Sequence, residues 1–204
     1  MNARFAVVLA ALFVSATALA ADAPPQMSPQ QQAMMEKMAK AATPGTQHAM
    51  LTGMAGEWTC AVKYQMDPSQ PWQESQSTAT VTVLMDGRYI QEVDSGQFNG
   101  MPFSGMGIYG FDNVSGKYVS SWIDNMGTGV MTSVGTADAG GKVINWIGTM
   151  NDPVTGKPAK SRMVMSMIDN DHHTFEMYGV PPGGKKEMKM MTIDYVRKQE
   201  AVKN

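Results

Sequence analysis

The side chains able to do chemistry in this chain are few and sit two residues apart. In Trp122-Ile123-Asp124 and in Glu176-Met177-Tyr178 a carboxylate and an aromatic ring are separated by one residue, a spacing that puts both on one face of a β-strand. Turned into an apolar interior, such a carboxylate has its charged form disfavoured by desolvation, and it can orient the polar end of a ligand or act as a general acid or base. Turned to solvent, it is an ordinary surface hydrogen-bonding group. With Tyr109 from a neighbouring segment, Trp122, Asp124, Glu176 and Tyr178 form the candidate ligand-binding set. No Gly-x-Ser-x-Gly elbow and no nucleophile with its base is recognisable. No catalytic residue is therefore assigned, and an enzyme working through these carboxylates stands as an alternative.

Methionine is the compositional anomaly, with 21 residues. Met163-x-Met165-x-Met167 lies on one face of a strand, Met188, Met190 and Met191 cluster near the end, and Met27, Met34, Met35 and Met38 lie near the start. Thioethers suit soft Cu(I), which makes Met163, Met165 and Met167 the metal-binding alternative, a form of copper handling. Methionine is also an adaptable filler for a malleable apolar cavity, and the lack of accompanying His or Cys favours that use. No cofactor is implied. His172 and His173 are adjacent, so on a strand they face opposite ways, and neither they nor His48 show zinc-site spacing.

Two further motifs have plain readings. Cys60 is the single cysteine, so no intramolecular disulfide can form, and just after Trp58 it reads as a small buried apolar residue. Gly105-Met106-Gly107-Ile108-Tyr109-Gly110 matches the nucleotide fingerprint by letter, but it runs into Phe111-Asp112-Asn113, a turn and a further strand where the fingerprint needs a helix N-terminus. Its glycines suit strand curvature or close packing.

The elements that must position these groups are mostly strands. Thr78 to Val83 alternates cleanly, and further segments run over 88–97, 101–111, 117–125, 129–136, 142–150, 160–168, 173–180 and 186–198. Between them stand Asp86-Gly87, Asn99-Gly100, Asp112 to Gly116, Asp138 to Gly141, Asp152 to Gly156 and Asp169 to Asp171, all hairpin chemistry. The pattern predicts about ten antiparallel strands, and a meander of that length removes its edges by closing. Before it, Ser28-Pro29 predicts the start of a helix over Gln30 to Ala42, ended by Thr43-Pro44-Gly45, and a short second helix spans about Thr46 to Thr52. The polar majority of the first helix predicts a loosely held surface element.

Residues 1–20 carry Arg4, an apolar run from Phe5 to Val14 and Ala18-Leu19-Ala20, the layout of a secretory signal with its cleavage site. Export to the periplasm or beyond is the expected localisation. The expected organisation is a signal peptide at 1–20, an extended tether and Met-rich helix at 21–43, and a barrel domain at 44–200. The remainder fits one core. With Lys+Arg at 16 and Asp+Glu at 18, and no basic block to neutralise phosphates, nucleic acid is excluded as a partner. No second apolar stretch is long enough for a transmembrane helix. In a closed meander the first and last strands are neighbours, so Trp58 and Arg197 can meet, the guanidinium over the indole. Gly56, Trp58 and Arg197 are therefore assigned to barrel closure.

Pro44-Gly45-x-x-His48-x-x-Leu51, Gly56-x-Trp58, Asp86-Gly87-Arg88-Tyr89, Pro102-Phe103-x-Gly105-x-Gly107-x-x-Gly110-Phe111-Asp112, Trp122-Ile123-Asp124, Gly156-Lys157, Phe175 to Tyr178 and Tyr195-x-Arg197 together resemble a bacterial secreted family catalogued as domain of unknown function fifteen seventy-nine. The resemblance covers about Pro44 to Lys198 and implies an all-β fold, a calycin-like, lipocalin-like antiparallel meander barrel, here with a short N-terminal helical extension. The family carries no established activity. Noncatalytic binding of a small apolar or amphipathic molecule in the barrel is the expected function, with protein partners unassigned.

Overall fold

Alternating side chains broken every ten residues or so by turn chemistry give ten strands, each hydrogen-bonded antiparallel to the next in sequence. The computed structural model describes residues 27–153, 155–181 and 184–199. Residues 1–20, expected from sequence to be a signal peptide, and most of the expected tether lie outside the described residues. The strands are β1 (Gly56–Tyr64), β2 (Gln73–Leu84), β3 (Tyr89–Phe98), β4 (Met101–Asp112), β5 (Lys117–Asp124), β6 (Met131–Ala137), β7 (Val143–Asn151), β8 (Pro158–Met167), β9 (His172–Gly179) and β10 (Met188–Arg197). β10 pairs back onto β1, so the sheet closes into a barrel. Closure gives every strand two partners and leaves no edge.

The connections are held by the residues that predicted them. Asn99 and Gly100 both take positive φ, 50° and 74°, as a two-residue hairpin turn of type I′ requires. The Asp112 carboxylate accepts the Val114 and Ser115 N–H groups at 2.9 and 3.2 Å, and Asp138 Oδ1 accepts those of Lys142 and Val143 at 3.0 Å each.

Two helices precede the barrel, α1 (Pro29–Ala42) and α2 (Thr46–Thr52). Ser28 Oγ accepts the Gln31 N–H at 3.3 Å while Gln31 Oε1 accepts the Ser28 N–H at 2.8 Å, a reciprocal cap that fixes the start of α1. α1 buries none of its side chains. α2 is anchored instead, with Leu51 and His48 buried.

α2 stands at the end of the barrel where β1 begins and β10 ends. There Trp58 is 0% exposed and its Nε1 donates to the Met54 carbonyl at 2.9 Å. The Arg197 guanidinium lies 4.2 Å from the centre of the Trp58 ring. Its nitrogens donate to the carbonyls of Ala55, Gly53 and Asn170, and its Nε meets Asp171 Oδ1 at 2.9 Å. One side chain thus ties the α2–β1 connection to the β8–β9 and β10 end. Gly56 makes this possible: its φ is +132°, and a Cβ there would lie 2.7 Å from Arg197 Nη1. His173 completes the plug, edge-on to Trp58 at 4.5 Å and stacked on Tyr195 at 4.2 Å.

The glycines of the fingerprint-like segment serve the aromatic rings. A Cβ on Gly105 would lie 2.3 Å from the Trp122 ring, one on Gly107 2.6 Å from the Tyr109 ring, and one on Gly110 2.5 Å from the Tyr89 ring. Each absent side chain is the space an aromatic ring occupies.

Truncating Trp58 removes a fully buried indole and the surface on which Arg197 rests, a change that costs about 3–5 kcal/mol. In a domain of this size Trp58→Ala should lower the melting temperature by roughly 10 °C. Trp72→Ala, at a ring 40% exposed, should leave it nearly unchanged. Equal melting curves for the two variants would dismiss the plug.

Candidate functional site

Register places one coherent set of side chains inside the barrel. On β3 the buried positions are Ile90, Glu92 and Asp94, while Tyr89 before them and Val93 between the two carboxyls are exposed. Glu92 faces Val81 on β2 and Gly107 on β4, and Asp94 faces Ala79 and Gly105. Every cross-strand neighbour of the two carboxyls is therefore apolar or lacks a side chain. The rings that fill the glycine positions, Tyr109 and Trp122, lean along the same part of the wall.

Glu92 is buried and takes side-chain hydrogen bonds from Tyr195 on β10 and Tyr109 on β4. Burial raises its pKa, and the two hydroxyls pull it back in part. Asp94 has no such help. It is 7% exposed, its Oδ1 has no hydrogen-bond partner, and burial followed by the charge of Glu92 pushes its pKa up to about 8. Two carboxyls in one dry site cannot both ionise cheaply, so near neutrality the pair holds a proton. Burial also raises the Tyr109 and Tyr195 phenols well above their usual value, and it pushes the Cys60 thiol up to about 12. That thiol is no nucleophile.

Three more buried polar atoms lack partners, Ser133 Oγ on β6, Trp146 Nε1 on β7 and, within the plug, His173 Nδ1 on β9. Ser133 and Trp146 belong to the inward set beyond the plug, Ser133 opposite Gly148 and Trp146 opposite Gly135 and Met163. The Trp146 ring meets the Tyr109 ring edge-on at 6.1 Å, which links this group to Glu92. A buried polar atom without a partner costs about 1–3 kcal/mol, so four within one barrel, three of them outside the plug, call for an explanation.

The space they face is real. Val62, Tyr109, Met131, Phe175, Met177 and Ile193 point inward by register and pack on the core, yet each keeps accessible surface. Tyr109 points inward by register, between Ile90 on β3 and Ser120 on β5, and is still partly accessible, so the surface it keeps faces the barrel interior. Thioethers line one side: Met163 opposes Met177, and Met177 opposes Met191. Met163 and Met165 are buried in the core and Met167 is partly buried against it. Among the described residues no three His, Cys, Asp or Glu groups converge to hold a metal ion.

The residues named from sequence divide. Tyr109 lines the lumen. Trp122 shares its inward face through its pairing with Gly107 and Met131, and Asp124 follows at the end away from α2. Asp124 is already engaged, accepting from Trp122 Nε1 and the Met126 N–H at 2.9 Å each. Glu176 and Tyr178 correct the expectation of an interior site: they lie on the outer face, where Glu176 pairs with Lys189 and accepts the Tyr178 hydroxyl at 2.7 Å. The Lys189 bond holds Glu176 below the usual carboxylate range, and the Arg162 guanidinium sits 3.6 Å over the Tyr178 ring. Phe175 and Met177 claim the interior of β9 because burying them is favourable, whereas burying Glu176 would cost its hydration. Glu92 and Asp94 were missed because apolar residues fall on both faces of β3. Alternation located the strand without saying which face turned inward.

A cleft of about 230 Å³ outside the barrel, lined by His48, Arg88, Tyr89 and Phe111 among others, has its polar groups spent on structure. His48 Nδ1 accepts the Gly45 N–H at 3.0 Å, and Asn113 Nδ2 donates to the carbonyls of Lys40, Ala41 and Thr43.

A closed ten-stranded antiparallel barrel with a plugged end and a carboxyl pair in its lumen is a lipocalin-like protein in architecture. The chain belongs to the family described as "Protein of unknown function (DUF1579)", whose model matches residues 43–197. Among solved structures it is similar to Rv2717c from M. tuberculosis, at 14% identity and a TM-score of 0.59, over 77% of this chain and 100% of that one. It is also similar to the S-type phycobiliprotein lyase CPES from Guillardia theta, at 9% identity and a TM-score of 0.51, over 80% and 98%. These likenesses concern the fold alone. No curated protein matches the chain.

The titrations fix a pH dependence. Asp94 holds its proton more tightly folded than unfolded, so its contribution to stability is complete below pH about 4 and is lost as the pH rises through about 8. Burial, then the Arg197 charge, lowers the His173 pKa to about 4. Its contribution is present above the ordinary histidine value and lost as the pH falls through about 4. Between pH about 6.5 and 8 the carboxyl pair sets the slope, and at higher pH the raised Cys60 thiol adds to it in the same direction. The melting temperature should fall from about pH 6.5 to 8.5, and Asp94→Asn should flatten that fall and raise stability at the alkaline end. An unaltered slope would place this carboxyl in water.

Proposed function

We propose that the protein is an exported, noncatalytic carrier of a small amphipathic molecule. Its ligand would enter at the end away from α2 and lay its apolar part against Met131, Phe175, Met177 and Ile193, with its polar end toward Asp94, Ser133 and Trp146. The observation that carries this reading is the coincidence, within one lumen, of inward side chains that keep accessible surface and buried polar atoms left without partners. Desolvated apolar walls with a few convergent polar groups are what a small-molecule site requires. The methionines suit such a site as adaptable wall. Proton transfer by the same carboxyls would make the protein an enzyme, and recovery of the bound molecule unchanged separates the two.

Native mass spectrometry after gentle purification should show an adduct of small-molecule mass. N-phenyl-1-naphthylamine, a neutral apolar dye, should brighten on binding the mature protein. Ile193→Trp, which fills the mid-lumen, should weaken that binding by about tenfold or more while the protein stays folded. A protein that purifies empty and leaves the dye dark would refute the carrier.

Export rests on Arg4, the apolar run and Ala18-Leu19-Ala20. Protein recovered from the periplasm or medium should begin at Ala21 by intact mass, and retention of residues 1–20 would overturn this.

A further inference from the structure

We propose that the molecule held in the lumen is an organic cation, an aliphatic amine whose protonated nitrogen is received by Asp94 and Glu92. This rests on the carrier reading and names the chemical class of its ligand. Asp94 is 7% exposed, and its Oδ1 is aimed inward with no donor to meet it. Glu92 already receives two hydroxyls, from Tyr109 and Tyr195, so it is held as an acceptor beside a second acceptor that lacks a partner. The free protein supplies no compensating charge. The titratable groups that face the pair are Tyr109 from β4, Tyr195 from β10 and Cys60 from β1, all uncharged near neutrality, while β2 offers Ser77, Ala79 and Val81. No Lys, Arg or His among the described residues acts on either carboxyl.

Charge and shape then select the ligand. An anion would meet two carboxyls and no cation, and a neutral alcohol would leave their proton in place. A compact metal ion lacks ligands, since no third His, Cys, Asp or Glu joins the pair among the described residues. An ammonium group needs only the acceptors present, and the rings of Tyr109, Tyr195 and Trp146 around the site offer further faces to a desolvated cation. Its alkyl chain then follows the thioether and aromatic wall. The exchange balances: the ammonium enters with its charge, the pair gives up the proton it shares, and that proton leaves to solvent.

The test is displacement of N-phenyl-1-naphthylamine from the mature protein near pH 7 by dodecylamine, dodecanol and dodecanoate, each below its micelle concentration. Dodecylamine should bind at least about tenfold more tightly than dodecanol, with dodecanoate weakest. Calorimetry in two buffers of different ionisation enthalpy should show about one proton released per amine bound. Asp94→Asn should remove most of the amine's advantage over dodecanol together with the proton release, and Glu92→Gln serves if that variant fails to fold. Dodecanol binding as well as dodecylamine in the wild-type protein, or an amine advantage that survives in both variants, overturns the amine and leaves the carrier standing. Absence of binding by every probe, the dye included, overturns both.

Discussion

The contact between Arg197 and Trp58 is the joint on which the barrel depends. A meander of ten strands satisfies its backbone only if the last strand returns to the first, and the return is fixed where β1 and β10 meet. There one guanidinium covers an indole and gathers carbonyls from the α2–β1 connection and the turn before β9. Arginine suits this work because its planar donors and weakly hydrated face serve both tasks at once. Gly56 is the complementary requirement, since any side chain there would strike the guanidinium.

Closing one end has consequences for the other. Trp58, His173 and Tyr195 fill the end next to α2, so dry packing is spent there. The middle of the barrel is lined by inward residues that pack on the core and keep some accessible surface. Tyr195 belongs to both regions, stacked on His173 in the plug and hydrogen-bonded to Glu92 in the lumen. The carboxyl pair thus sits at the floor of the lumen, where the packed end supplies the low dielectric that keeps a proton on it. Stability is given up at this place. A carboxyl and an indole N–H left without partners cost more than apolar residues of the same volume would.

Glycine has a consistent use throughout this barrel. Gly105, Gly107 and Gly135 lie beneath the rings of Trp122, Tyr109 and Trp146, so large aromatics fold down onto the wall. Ten strands enclose a narrow interior, and pairing a ring with a glycine keeps that interior from being filled. The segment that resembles a nucleotide fingerprint is a product of this rule.

The sequence by itself determined the strands, the turns, the helix starts and the closure of the sheet, because each is written in local chemistry: alternation, Asn-Gly and Asp-rich turns, Ser28 ahead of Pro29, and a first and last strand that must be neighbours. Facing was legible where the large apolar residues kept to one side, as Trp58, Val62 and Tyr64 do in β1. It was illegible in β3, where Ile90 and Val93 fall on opposite faces, and misleading in β9, where Glu176 and Tyr178 share a face with each other and with solvent. Only the tertiary structure decided which face turned inward. That choice depends on what the neighbouring strands offer: Gly105 and Gly107 place no side chain opposite Asp94 and Glu92, and Lys189 and Arg162 engage Glu176 and Tyr178 on the outer face. A period of two fixes the alternation within a strand, but its phase relative to the core is set by partners distant in the chain.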